Sequence, residues 1–155
     1  MMMDPIRNSA KAVIIQDGHV LAVRNRDHEG DWYLLPGGGQ EPGEPLHEAL
    51  RRECREEIGA EVRIGALKMI REYIGRNHEF AEEDCAMHQV EFMFECSIDR
   101  SYAPQNGHLP DEWQTGVDWL PLSELEQFRL YPKVLRTLLR EGVAGAPLAY
   151  LGDVN

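Results

Sequence analysis

The stretch from Gly38 to Ala60, GGQEPGEPLHEALRRECREEIGA, constrains this chain more than any other segment. It opens on glycines and turns at Pro42-Gly43. Glu44 is placed to cap a helix and Pro45 suits its first position, where proline's missing N–H would have no partner in any case. The helix should run to about Ile58, with Gly59 as a left-handed stop. Along it, Leu46, Ala49, Leu50 and Cys54 recur near helical spacing and give a packing face. Glu53, Glu56 and Glu57, three and four residues apart, project together from another. Three carboxylates held that close repel one another unless a cation lies between them. A hard divalent ion such as Mg2+ is the natural occupant, because it prefers carboxylate oxygens and keeps waters and substrate phosphates in its remaining positions.

Around this segment the chain reads mostly as strands. Lys11 to Ile15 (KAVII) and His19 to Arg24 (HVLAVR) flank a turn at Gln16-Asp17-Gly18 and predict a hairpin. Trp32 to Leu35 is a short apolar piece ended by Pro36 and the run Gly37 to Gly39, which lets a ligand approach the main chain. Glu61 to Ile74 alternates loosely and His88 to Ile98 more strictly, so both predict strands. The polar segment Gly75 to Asp84 between them reads as a flexible connection. Ser101 to Thr115 is a second long loop, of a length that is often functional. Val117 to Leu120 predicts a strand, Ser123 a cap over a brief turn, and Pro132 to Glu141 an amphipathic helix stopped by Gly142. The expectation is one α+β domain over residues 1–155, with residues 1–9 and 143–155 as flexible or interface-forming tails.

Charge narrows the partners. A formal net charge of -11 opposes nucleic-acid polymers and anionic membrane surfaces. A phosphate-rich small molecule stays possible where metal ions offset the carboxylates. Cys54, Cys85 and Cys96 are an odd number without metal-ligand spacing, no apolar run approaches the ~20 residues that span a bilayer, and MMMDPIRNSA lacks an export pattern. These features point to a cytoplasmic protein. Its histidines form no ligand spacing.

The spacing from Gly38 to Ala60 resembles the signature of the Nudix hydrolases, GX5EX7REUXEEXGU with U a bulky apolar residue. Gly38, Glu44, Arg52-Glu53, Glu56-Glu57 and Gly59 fill every fixed position, and Cys54 and Ala60 stand at the U positions, smaller than is usual there. The flanking WYLLPGG and WLPLSEL segments are also family-like. The resemblance implies a Nudix-like α+β fold, a central mixed β-sheet between helices, with the box as a loop-helix-loop that binds Mg2+ or Mn2+. It implies hydrolysis of a pyrophosphate bond in a nucleoside diphosphate linked to another moiety, by water attack at phosphorus. By the same resemblance Glu53, Glu56 and Glu57 are metal ligands together with the carbonyl of Gly38. Glu44 supports the metal shell, and Arg52 pairs with a glutamate to fix its rotamer.

For the general base, Glu53 is the first candidate and Glu112, in the long loop, the second; Glu91 and Glu95 are weaker. For substrate, Arg24, Arg26, Arg71 and Arg76 could meet phosphates, and Trp32, Tyr33, Tyr73 or Phe80 could stack on a base. Downstream of the box there is neither the proline associated with ADP-ribose hydrolases nor the tyrosine typical of diadenosine-polyphosphate hydrolases, so the substrate is left unassigned. The rival reading is a Nudix-like module that binds a nucleotide without cleaving it, which degenerate box glutamates would have favoured. A homodimer is the further partner considered.

Overall fold

The computed structural model describes residues 4–155. Its hub is β1, Arg7–Gln16, which begins before the apolar run at Lys11 and draws Arg7, Asn8 and Ser9 out of the expected N-terminal tail. Asp17 and Gly18, both with positive φ (51° and 74°), make the tight turn into β2, His19–Asp27. Then come β3 (Gly30–Leu34), β4 (Gly37–Gly39), helix α1 (Leu46–Ile58), β5 (Arg63–Ile74), a helical turn α2 (Ala81–Asp84), β6 (His88–Ser97), β7 (Gln114–Pro121), helix α3 (Leu135–Glu141) and β8 (Ala149–Asp153). The strands form one mixed sheet in the order β3-β2-β1-β6-β5-β8, with β4 on β1 and β7 on β2. β1 runs parallel to β6 and antiparallel to β4.

Both faces of the sheet are covered. Ala10, Ala12, Ile14, Leu21, Val23 and Phe94 pack under Leu50, Cys54 and Ile58 of α1. Val13, Val20, Ala22, Met69 and Met93 pack under Leu135 and Leu139 of α3. The alanines of β1 are fully buried, and their small side chains let α1 lie close to the strand. Since β6 is buried on both sides, its alternation of Phe92 and Phe94 with Met93 separates two cores. Among the described residues no helix is long and apolar enough to cross a membrane.

Three local expectations are corrected. The connection after β5 is ordered as a 3-10 turn, Gly75–Asn77, followed by α2. The last helix starts at Leu135 instead of Pro132, because the chain from Pro132 first makes a turn in which the Leu135 N–H meets the Pro132 carbonyl. Most notably, the segment 143–155 carries a strand, β8, at Ala149–Asp153. β8 pairs in parallel with β5, the Val154 N–H donates to Glu72 O, and Arg71 donates to Val154 O at 2.6 Å. Its partner is remote in sequence and Gly152 interrupts its pattern, so alternation could not reveal it.

Asp153 pins this strand, accepting from the Ile74 N–H at 2.9 Å and Asn77 at 3.0 Å and standing 2.6 Å from His78 Nε2. Burial alone would raise its pKa, but the bonds from Asn77, His78 and Ile74 prevail and hold it at about 2, below the ordinary 3.8. The unfolded chain therefore takes up the proton first. The stabilisation is present above about pH 4 and is lost as pH falls toward about 2. Asp153→Asn should expose the β8 amides to hydrogen exchange at neutral pH, and parent and variant should converge near pH 2. Equal protection at neutral pH would refute the role given to Asp153.

Candidate active site

The site begins with glycine. β4 lies antiparallel on β1, with Gly37 opposite Lys11, Gly38 opposite Ala10 and Gly39 opposite Ser9. Gly37 has φ 132°, and a Cβ there would overlap the Ala10 carbonyl. A Cβ on Gly38 would fall 2.6 Å from the Glu53 carboxylate. Bare backbone is thus what lets the carboxylates of α1 rest on the strand. Glu57 is only 3% exposed and accepts the Gly37 N–H at 3.1 Å.

Arg52 organises the rest. Its Nη1 donates to Glu53 at 3.0 Å and Glu56 at 3.3 Å, its Nη2 to Gly39 O at 2.9 Å and Glu44 at 2.7 Å, and its Nε to Glu44 at 3.1 Å. The cation lying between two of the box carboxylates is therefore this guanidinium. Among the described residues no three acidic, histidine or cysteine side chains stand in metal-binding geometry. Glu53 and Glu56 share Arg52, the arginine expected to pair with a glutamate, and Glu57 turns into the sheet. Glu44 is not a helix cap. Pro45 occupies that position with no side-chain bond, and Glu44 accepts from Arg52 and from the Glu41 N–H at 2.8 Å. Arg52 and that N–H hold Glu44 below the usual carboxylate range.

The donor set suits a hard divalent ion. Burial pushes Glu57 well above the ordinary carboxylate range; Lys11 opposes the shift, and the neighbouring Asp111 carboxyl adds to it. Burial also raises Glu53, against the pull of Arg52. Glu53 and Glu57 are thus desolvated, oxygen-only donors, and Glu53 and Glu56 are tied by a single long side chain, that of Arg52, which can rotate away.

The long loop after β6 closes the far end of the helix. The last carbonyls of a helix have no partner within it. Here Gly107 N–H donates to Glu57 O at 3.0 Å, Leu109 N–H to Glu56 O at 2.9 Å, Gln114 Nε2 to Glu57 O at 2.8 Å and Tyr102 OH to Ile58 O at 2.7 Å. A side chain at Gly107 would come within 2.8 Å of the Arg55 carbonyl, so only glycine allows this contact. The clamp brings Asp111 to the carboxyl of Glu57 and within electrostatic reach of Glu53. Glu112, the loop acid singled out from sequence, is exposed and makes no hydrogen bond or ion pair among the described residues. Loop length was the available signal; which of two adjacent exposed acids comes near the Glu57 carboxyl depends on the Asp111 to Gln114 turn, which sequence does not display.

The candidate substrate residues are dispersed. Arg24 is bound to Asp118 at 2.7 Å and Arg26 to Asp31 at 2.8 Å. Arg71 is 5% exposed and held by Glu91, its Nε at 2.9 Å. Trp32 is half-buried, edge-on to Tyr131 at 6.4 Å. Tyr33 and Tyr73 donate to Asp118 and Asp84, and Phe80 packs edge-on against Tyr131. Arg76 alone of the four arginines is unpaired, and it sits exposed on the turn after β5. Of the weaker base candidates, Glu91 is taken by Arg71 and Glu95 faces Lys68 at 3.9 Å.

Comparison with known proteins agrees with this architecture. The NUDIX domain family matches residues 5–141. A nucleoside triphosphatase NudI from Salmonella typhimurium is 30% identical over 144 residues, covering 84% of this chain and 93% of the relative. NudI from an Enterobacter species is 59% identical over a shorter stretch of 39 residues, 25% of this chain and 27% of that relative. Among solved structures, a NUDIX hydrolase from Nitrosomonas europaea superposes with a TM-score of 0.69 at 20% identity, covering 93% of each chain. An ADP-ribose pyrophosphatase from Streptococcus suis gives 0.64 at 16% identity, covering 96% of this chain and 100% of the other. The structures share the fold, the family match spans most of the residues, and one relative aligns almost end to end: the chain belongs to the Nudix hydrolase family.

Proposed function

We propose that this protein hydrolyses a phosphoanhydride bond in a nucleotide derivative, a nucleoside diphosphate linked to another moiety, using Mg2+ or Mn2+ held by Glu53, Glu56, Glu57 and the Gly38 carbonyl. The observation that carries the proposal is the seating of Glu53 and Glu57 against the glycines of β4, with Arg52 fixing the first. When bound, the metal supplies charge neutralisation at the bridging and leaving oxygens and lowers the pKa of a coordinated water. Glu53, whose proton affinity burial has raised, suits the task of accepting a proton from the attacking water. Arg52 keeps that carboxylate in one rotamer, and Asp111 closes the wall beside Glu57. The relatives named for triphosphate and ADP-ribose hydrolysis support a nucleotide substrate without choosing one.

The test is a hydrolysis screen with Mg2+ or Mn2+ over nucleoside triphosphates, oxidised nucleotides, ADP-ribose, dinucleoside polyphosphates and nucleotide sugars. Metal-dependent release of phosphate, pyrophosphate or monophosphate from at least one is expected. Release from none would favour a binding module. Once a substrate is found, Asp111→Asn should lower turnover about tenfold or more while Glu112→Gln stays within about twofold. A larger loss at Glu112 would return the role to that residue.

A further inference from the structure

Next to the box lies a groove of about 810 Å3, bounded by residues 4–8, the loop 40–44 and residues 83–88. Its size suits a small-molecule site. Arg7 is the one arginine or lysine in its wall. Among the described residues, only Arg7, Arg51 and Arg76 of all the arginines and lysines make neither a hydrogen bond nor an ion pair, and of these Arg7 alone lines the groove. One edge of its guanidinium abuts β4: a Cβ on Gly39 would be 2.5 Å from its Nε and Nη2 and 2.9 Å from its Cζ. The neighbouring glycine, Gly38, carries the Glu53 carboxylate in the same manner. Arg7 thus stands one residue from the carboxylate site. Arg52, by contrast, holds Glu44, Glu53 and Glu56.

We infer that Arg7 anchors a phosphate of the substrate and that the groove beyond it receives the nucleoside. The inference rests on the reading of the chain as a nucleotide pyrophosphohydrolase. A planar fork of free N–H donors matches phosphate oxygens in pairs. Farther out, Ile6 and Met87 offer exposed apolar surface, 58% and 36% accessible, against which a base or sugar can lie. The wall also carries Asp4, Glu41, Glu44, Glu83 and Asp84, carboxylates that repel phosphate and accept from ribose hydroxyls and base N–H groups. Arg7 is therefore the one point of the groove that attracts a phosphate, and the rest of the groove is left to the nucleoside.

Isothermal titration in Mg2+ tests this, with α,β-methylene analogues of ADP, GDP, CDP and UDP and with methylenediphosphonate as the phosphate-only probe. At least one nucleotide analogue should bind the parent more tightly than methylenediphosphonate does. Arg7→Ala should weaken both kinds of probe by about tenfold or more, and Arg7→Lys should recover only part of the loss. Met87→Glu should weaken the nucleotide analogues by about tenfold and leave methylenediphosphonate within about twofold. Both positions are exposed, and unchanged circular dichroism confirms the fold. Binding by Arg7→Ala within about twofold of the parent, no selective loss in Met87→Glu, or no binding of any analogue by the parent each overturns the inference. The readout needs no turnover, so a silent hydrolysis screen with Arg7-dependent binding would reject the proposed reaction and leave the nucleotide site standing.

Discussion

Glu53→Gln is expected to lower turnover at saturating metal by about 10²–10⁴-fold, the range associated with losing a positioned proton acceptor. Glutamine keeps the shape over Gly38 and can still meet Arg52, so fold and substrate affinity should change little. Glu57→Gln should be as damaging for another reason. Glu57 is buried with one backbone N–H as its hydrogen-bond donor and Lys11 as the cation acting on it, so its ionised form costs stability until a metal ion joins it. The glutamine variant should therefore be at least as stable as the parent without metal, yet lose most of the rise in Tm that Mg2+ gives the parent. Thermal melts with and without Mg2+ separate the two roles. If Glu57→Gln melts well below the parent in the absence of metal, the carboxylate is a structural anchor and its place among the metal ligands is wrong.

Arg52→Ala should have the largest combined effect. It removes a partly buried guanidinium that engages Glu44, Glu53, Glu56 and the Gly39 carbonyl. Three carboxylates then lose their counter-charge. A destabilisation of about 2–3 kcal/mol follows from such charge-assisted bonds, or a fall in Tm of roughly 5–10 °C for a domain of this size. Apparent metal affinity in turnover should fall about 10–100-fold, because the ligands are no longer oriented. Mg2+ should accordingly raise the Tm of Arg52→Ala less than that of the parent, since a weaker site contributes less binding free energy. Arg52→Lys should not restore the affinity, since an ammonium cannot span Glu44 and Glu53 with a fixed fork. A metal-free Tm equal to the parent's would mean that the arginine contributes nothing to holding the carboxylates.

What could be read in advance divides by range. The box helix, its packing face and its stop at Gly59 depend on neighbours a turn away, and they stand as spacing predicts; Gly59 has φ 65°. The position of Arg52 does not follow from spacing. Adjacent residues on a helix do not face one another, yet the arginine is long enough to reach Glu53 beside it, Glu56 one turn on, and Glu44 before the helix. The pairing of two substrate candidates is hidden from the sequence for a similar reason. Arg24 and Arg71 look free in sequence, but their partners Asp118 and Glu91 come from strands that pair with theirs at long range. Arg7 looked like part of a tail until β4 was seen to lie beside it. Asp111 and Glu112 differ only in how one turn is wound.

The clamp of Gly107 and Leu109 on the end of α1 also bears on the order of folding. A helix as short as α1 is marginal in isolation, and its last carbonyls acquire partners only when a segment some fifty residues downstream closes on them, at the entropic cost of a long loop. That closure in turn waits on β7 finding β2 across most of the sequence. The helix of the box is therefore completed only with the rest of the sheet in place, and an excised peptide from Gly38 to Ala60 should behave as a disordered acidic segment with no selectivity among divalent ions.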